Sequence, residues 1–130
     1  MENYEYVKRV PIRYRDIDTQ LIVNNGVYPT YLTECRAGYL EDVVGLVVEE
    51  IQDIVTARLE IDYLAPVKRG VELRVHLRCS EVGARSFTLE YEIRADGTAA
   101  ARARSVHVTI DPETGESKPV PDDHRVALEG

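Results

Sequence analysis

The chain has 130 residues, with 16 Lys and Arg against 23 Asp and Glu and a formal net charge of −7. Residues 1–130 have the length of one domain and an ordinary globular composition, enough to bury a core of real size. The acidic balance excludes nonspecific nucleic-acid binding, which needs a basic footprint, but leaves room for a local arginine that holds a small anion.

Met1-Glu2-Asn3-Tyr4-Glu5 is polar and acidic, without the basic-then-apolar form of a signal peptide, and no apolar run approaches membrane-spanning length. Cys35 and Cys79 sit in apolar patterns, with neither metal-type nor disulfide-type spacing. They read as free core thiols in a reducing compartment, so a cytoplasmic location is expected and no metal or redox cofactor is implied.

Residues 6–14 read as a first strand, Val10, Ile12 and Tyr14 alternating with Arg9, Arg13 and Arg15. Pro11 lacks an amide donor and points to an edge position or a bulge. A polar loop follows, with two carboxylates, Asp16 and Asp18, and strong punctuation at Asn24-Asn25-Gly26. Asn25 is the candidate N-cap of a helix whose opening turn accepts Pro29. Tyr28, Tyr31, Leu32, Cys35, Tyr39 and Val43 recur at helical spacing on one apolar face, and the helix should fail near Gly45. Free amides at such a helix start, with the positive end of its dipole, stabilise an oxyanion, and a nearby aspartate acts on a carbonyl or on water.

Beyond an ambiguous segment at 46–53 the signal is clean. Val55, Ala57, Leu59, Ile61 and Tyr63 alternate with polar residues as a half-buried strand stopped by Pro66. A second run spans Val71 to Cys79, Gly83 marks a turn, and a third run goes from Phe87 to Ala95. Asp96-Gly97 is a hairpin signal. The last strand, residues 99–110, has Ala101, Ala103, Ser105, His107 and Thr109 on one face, small enough for a helix to approach. Its other face carries Arg102 and Arg104 and then Val106, Val108 and Ile110, which need a cover unless a bulge intervenes. Residues 111–130, with three prolines, read as a loose tail or an ordered edge arm. One helix covers only one face of a sheet, so the other must be polar or covered by a second copy, which argues for a homodimer or homotetramer.

Asp16-Ile17-Asp18, Val23-Asn24-Asn25, Tyr28, and Tyr31 with Glu34 and Arg36 resemble, in order and spacing, the signature of the hot-dog acyl thioesterases around 4-hydroxybenzoyl-CoA thioesterase and the YbgC-like enzymes. Tyr63-Leu64-Ala65-Pro66 and Val108-Thr109-Ile110-Asp111 with Thr114-Gly115 extend the likeness over nearly the whole chain. Leu21-Ile22 departs from it, because many relatives have Gly-His there.

The resemblance implies an α+β hot-dog fold, an antiparallel sheet wrapped around one long central helix, with sites shared between protomers. It implies a thioester hydrolase acting on an acyl-CoA or an acyl chain on a carrier protein, with coenzyme A present only as part of the substrate. It puts Asp18 at the position of the catalytic carboxylate, as nucleophile or as general base, and the Asn25 main-chain amide at the oxyanion. Without the likeness, Asp16 and Asp18 would read as turn formers, and Asp16 is taken as structural. Glu34 is the second-choice catalytic carboxylate, since some hot-dog thioesterases use a helix glutamate; its plain alternative is an ion-paired helix face. Arg85-Ser86 matches an element near the coenzyme A phosphates in some relatives, with Lys68 and Arg69 as weaker candidates. Tyr28, Tyr31 and Tyr39 either line a pocket or belong to the core.

Residues 16–43 contain no histidine, which counts against a hydratase or dehydratase of the same fold. The Leu21-Ile22 departure leaves a non-catalytic acyl-CoA-binding module as the other alternative. His76, His107 and His124 read as ordinary strand and tail residues.

Overall fold

The computed structural model describes residues 4–130. In chain order it holds β1 (Tyr6–Val10), α1 (Tyr28–Tyr39), α2 (Val48–Ile51), β2 (Ile54–Tyr63), β3 (Leu73–Val82), β4 (Ser86–Ala95), β5 (Thr98–Thr109) and α3 (Asp122–Glu129). The strands form one antiparallel sheet in the order β1-β3-β4-β5-β2, and α1 packs on β1 and β3. This is the α+β arrangement expected, a sheet curled around a central helix.

β1 stops at Val10, short of the expected Tyr14, because Pro11 offers no amide to the ladder. It is an edge strand, paired only with β3. Tyr14 instead opens a single 3-10 turn, Tyr14–Asp16, and is exposed. Pro29 lies in the first turn of α1, where its missing donor costs little. Tyr28, Tyr31, Leu32, Cys35 and Tyr39 are buried as read, and burial pushes the Cys35 thiol up to about 12, an inert core group. Val43 is not part of that face: it is 41% exposed. The helix widens into a π turn over Leu40–Val44, which shifts the phase and buries Leu40 instead. Gly45, at φ 79°, ends it. At Gly38 a Cβ would collide with the Tyr6 hydroxyl, so the close approach of α1 to β1 depends on that glycine.

The simple alternation read for β2 is broken by a bulge at Ala57. Leu59, Ile61 and Tyr63 pair with Ser105, Ala103 and Ala101 on the helix side, whereas Val55 pairs with Val108 on the outer side. Leu59 and Tyr63 remain 39% and 46% exposed, because α1 does not reach this far across the sheet. β4 and β5 join through Asp96 and Gly97 at φ 49° and 83°, the paired left-handed residues of a type I′ turn. A second bulge, at Ala100, sits at the start of β5, after which Ala101, Ala103, Ser105, His107 and Thr109 all face inward and are buried. Residues 111–130 are not loose. They turn back to bridge Ile110 to Ser117, bury Val120, and end in α3, whose Leu128 closes the core beside Leu40 and Phe87.

Candidate active site

Two carboxylates two residues apart along a loop have different surroundings. Asp16 is 5% exposed. Its Oδ2 accepts from the Tyr31 hydroxyl at 2.8 Å and from the Arg13 amide at 2.9 Å, and its carbonyl accepts from the Asn24 amide at 2.8 Å. These bonds pin the loop to α1, and burial, with the bond to the Asp16 carboxylate, raises the Tyr31 phenol well above its ordinary range. Asp16 is structural, as read.

Asp18 sits on a small hairpin rooted by the Ile17–Val23 bridge. The Asp18 amide donates to the Ile22 carbonyl at 2.9 Å, and the Leu21 amide donates to the Asp18 carbonyl at 3.0 Å. Asp18 Oδ1 accepts from the Gln20 amide at 2.8 Å, an Asx turn that fixes the carboxylate while leaving its second oxygen outside that bond. Leu21 holds φ 65°, a left-handed conformation that glycine adopts without strain. The place where relatives carry Gly-His is therefore the place where the backbone asks for glycine.

Asp18 lines an open hollow of about 500 Å³ with Tyr14, Ile17, Thr19, Leu21 and Arg69. The neighbouring segment is held by the Val23 amide, which donates to the Val67 carbonyl at 2.8 Å, and by the Ile22–Lys68 bridge. Arg69 is thus the cation that shares a cavity with Asp18 in one protomer, and its only sequence signal was its place in a basic turn.

The helix start differs from expectation in one respect. Asn24, not Asn25, is the capping side chain, its Oδ1 accepting from the Gly26 amide at 2.8 Å. Helical geometry begins one residue early, because a 3-10 turn, Asn25–Val27, runs directly into α1. The Val27 amide donates to the Asn24 carbonyl at 2.9 Å. Of these first amides, the Asn25 N–H is the one without a partner among the described residues. The Asn25 carbonyl is held from the other side by the Tyr63 hydroxyl at 2.9 Å. Tyr28, 2% exposed, stands edge-on to the Tyr63 ring at 5.0 Å and so walls this end of the helix. No motif had singled out the Tyr63 hydroxyl for that work.

Glu34 forms an ion pair with Arg13 at 2.9 Å and does not line the Asp18 hollow. Arg85 and Ser86 lie at the far end of the sheet. The Arg85 guanidinium donates to the Ser117 carbonyl at 2.7 Å, and Ser86 opens β4, whose other end, at Ala95, is the end nearest the Asp18 hairpin. Along ten residues of strand that is roughly 30 Å, so one protomer does not bring Arg85 to Asp18. Among the described residues no group of three His, Cys, Asp or Glu side chains is placed to hold a metal ion, and no helix is long and apolar enough to cross a membrane.

Residues 12–128 match the thioesterase-like superfamily. A 1,4-dihydroxy-2-naphthoyl-CoA hydrolase from Synechococcus elongatus is 26% identical over 94% of this chain and 92% of its own. Among solved structures, a Thermus thermophilus thioesterase complexed with coenzyme A and Zn superposes with a TM-score of 0.90 at 32% identity, covering 99% of this chain and 95% of the other. A predicted thioesterase from Bacillus stearothermophilus gives a TM-score of 0.87 at 27% identity, over 95% and 93% of the two chains.

Proposed function

Because this chain belongs to the thioesterase-like superfamily, and is an acyl-CoA thioesterase of hot-dog fold, we propose that Asp18 and the Asn25 amide carry its chemistry. The substrate is an acyl thioester of coenzyme A, with an acyl carrier protein as the other possible thiol. The carbonyl oxygen lies against the Asn25 N–H, at the positive end of the helix, where negative charge developing on that oxygen is stabilised. Asp18 then acts in one of two ways. As nucleophile, its carboxylate adds to the carbonyl carbon and the C–S bond breaks, giving a mixed anhydride and the thiolate; water hydrolyses the anhydride and the thiolate takes a proton. As general base, it removes a proton from water as the water oxygen adds to the carbonyl, and the tetrahedral intermediate expels the thiolate, which is reprotonated. Either course yields the free acid and the thiol.

The observation that carries this reading is the unpartnered Asn25 amide at the helix start, on a loop whose other arm presents Asp18. We place the complete site between two copies of the chain. A two-fold axis perpendicular to β2 at its open edge sets the Arg85 end of one sheet beside the Asp18 end of the other, and it covers Leu59 and Tyr63. Arg85 and Ser86 then serve the coenzyme A phosphates from the partner, with Arg69 contributing from the Asp18 side.

A spectrophotometric thiol-release screen across short, long and aromatic acyl-CoAs tests the proposal. The naphthoyl-CoA hydrolase name of the Synechococcus relative puts aromatic esters first. Leu21 supports one rival, since it lines the Asp18 hollow at a position where many relatives have glycine. Tight binding of acyl-CoA with no thiol release would make the protein an acyl-CoA-binding module.

A further inference from the structure

Helical geometry starts at Asn25, in a single 3-10 turn ahead of the regular bonding of α1. Such an opening turn is the part of a helix that frays. Along the chain it has two bonds: the Val27 amide donates to the Asn24 carbonyl at 2.9 Å, and the Tyr28 amide donates to the Asn25 carbonyl. Left to these alone, the peptide planes on either side of Asn25 would be loosely set.

Two side chains tighten them. Asn24 Oδ1 accepts from the Gly26 amide at 2.8 Å, and Gly26 leaves room for it, since a Cβ there would lie 3.3 Å from that oxygen. The Tyr63 hydroxyl adds a second bond to the Asn25 carbonyl, at 2.9 Å. The peptide unit between Asn25 and Gly26 is therefore held at its N–H by Asn24 and at its C=O by Tyr63, and it cannot rotate without breaking both. In the unit before it, the carbonyl is engaged by Val27, and the Asn24 amide behind that is tied to the Asp16 carbonyl at 2.8 Å. Of the four polar groups in these two units, the Asn25 N–H is the one without a partner among the described residues.

Tyr63 reaches this place from the far side of the sheet. It is the last residue of β2 and stands opposite Ala101, a small buried residue that leaves the inner face free for a phenol ring. The main chain turns away directly after it, the Leu64 and Ala65 amides donating to the Ala100 carbonyl at 2.9 and 3.1 Å. The buried Tyr28 ring, edge-on at 5.0 Å, fixes the Tyr63 ring. A phenol 46% exposed has water within reach, yet this one is committed to a carbonyl 38 residues away. The body of α1 packs on β1 and β3, at the opposite edge, so Tyr63 gives the helix start an anchor of its own. In the dimer proposed above the contact is also covered, and losing competing water strengthens it.

We propose that Tyr63 is a positioning residue for thioester hydrolysis: with Asn24, its hydroxyl locks the Asn25–Gly26 peptide so that the Asn25 N–H stays aimed at the substrate carbonyl. The proposal rests on the reading above, in which that N–H is the oxyanion donor. A preorganised donor acts mainly in the transition state, so loosening it lowers kcat and leaves KM nearly unchanged. In Tyr63→Phe, which keeps the ring against Tyr28, kcat should fall by about tenfold, less than the roughly hundred- to thousandfold of removing such a donor outright. Asn24→Ala should give a similar loss, and Asn24→Ser, which keeps an acceptor for the Gly26 amide, should recover most of it.

A purely structural tie would not change how the site polarises a carbonyl. The second readout is therefore the C=O stretch of a bound ketone analogue of benzoyl-CoA, with a methylene inserted between carbonyl and sulfur. The wild type should hold it in one narrow band, below its position in an aprotic solvent, and Tyr63→Phe should broaden that band or move it up. Wild-type kcat in Tyr63→Phe overturns the proposal, as does an unmoved band in a variant that has lost turnover. If Tyr63→Phe dissociates into single chains, Asn24→Ala, which lies off the β2 edge, carries the same test, and normal turnover there overturns it as well. A wild-type band with no sign of a hydrogen bond would remove the Asn25 amide as donor, and the proposal with it. Thiol release with normal turnover in Tyr63→Phe removes the proposal alone and leaves the thioesterase reading standing.

Discussion

The Tyr31 hydroxyl donates to Asp16 Oδ2 at 2.8 Å, joining a fully buried helix residue to the loop that ends in Asp18. With the Arg13–Glu34 pair at 2.9 Å, it ties α1 to the root of the Asp18 hairpin. Tyr31→Phe removes the donor and leaves a buried carboxylate with only the Arg13 amide. We expect a loss of about 1.5–3 kcal/mol in urea unfolding, the cost of a hydrogen bond to a charged group. Turnover per folded molecule should fall by less than tenfold, since neither Asp18 nor the Asn25 amide is touched. A loss below 0.5 kcal/mol, itself an order-of-magnitude threshold, would mean that water replaces the phenol freely.

Leu21 gives a prediction of opposite sign. Its left-handed backbone costs about 1–2 kcal/mol, and at 70% exposure its side chain returns little by packing. Leu21→Gly relieves that strain but adds about 0.5–1 kcal/mol of unfolded-state entropy. The net expectation is a gain of roughly 0.5 kcal/mol in chemical denaturation, with a wider Asp18 hollow and a lower KM. Destabilisation would show that Leu21 is packed against something in solution, the partner copy being the first candidate.

How much of this was legible in the residues follows from which forces are local. The strands of the meander, the Asp96-Gly97 turn and the small inner face of β5 were readable because alternation and turn chemistry act over a few residues. The bulge at Ala57 was not, since it is set by pairing with β5, and it moved Val55 to the outer face. The π turn that exposes Val43 is likewise a response to packing, with Leu40 drawn inward. Asp18 and the Asn25 amide were singled out through the family likeness alone, and spacing by itself would have left them as turn and cap. Arg69 was only a weaker phosphate candidate and the Tyr63 hydroxyl had no assigned role, because sequence distances of 51 and 38 residues separate them from the groups they meet.

His107, buried on the inner face of β5, makes stability depend on pH. Folded, this imidazole sits at about 3, against an ordinary value of 6.5, so the unfolded state binds the proton and the folded state refuses it. Stability is complete above pH ~6.5 and is lost as pH falls toward ~3, at about 1.4 kcal/mol per unit. Between pH 6.5 and 4.5 the wild type should therefore lose roughly 2–3 kcal/mol more than His107→Gln. Equal pH slopes for the two proteins would show that His107 reaches water.

The shared site has its own signature. Light scattering at micromolar concentration should give twice the 14.7 kDa chain mass or a multiple of it. Arg85→Ala should raise KM for acyl-CoA several-fold with little change in kcat, as expected when remote binding is lost equally from ground and transition states. Mixing Asp18→Asn with Arg85→Ala subunits should restore one site of wild-type KM in each mixed dimer, because the intact Asp18 then meets an intact Arg85 from its partner. A monomer, or mixed dimers that keep the Arg85→Ala KM, would confine the site to one chain and return Arg85 to its contact with Ser117.

Asp18 carries the most exposed commitment. Asp18→Asn keeps the size of the side chain and an oxygen able to accept from the Gln20 amide, so the turn should persist. It removes both nucleophilicity and basicity. If the carboxylate performs the chemistry, kcat should fall by about two orders of magnitude or more, as for the loss of a general base, while KM changes little because the helix amide and the rest of the hollow's lining remain. Asp16→Asn is the control and should act mainly through stability, since its oxygens serve Tyr31 and Arg13. Single-turnover rates separate the two, because they count only folded, substrate-loaded enzyme. Near-wild-type turnover in Asp18→Asn, together with an inactive Glu34→Gln, would move the chemistry to the helix carboxylate. In that case the Arg13–Glu34 pair, at 2.9 Å, would have to open before each turnover.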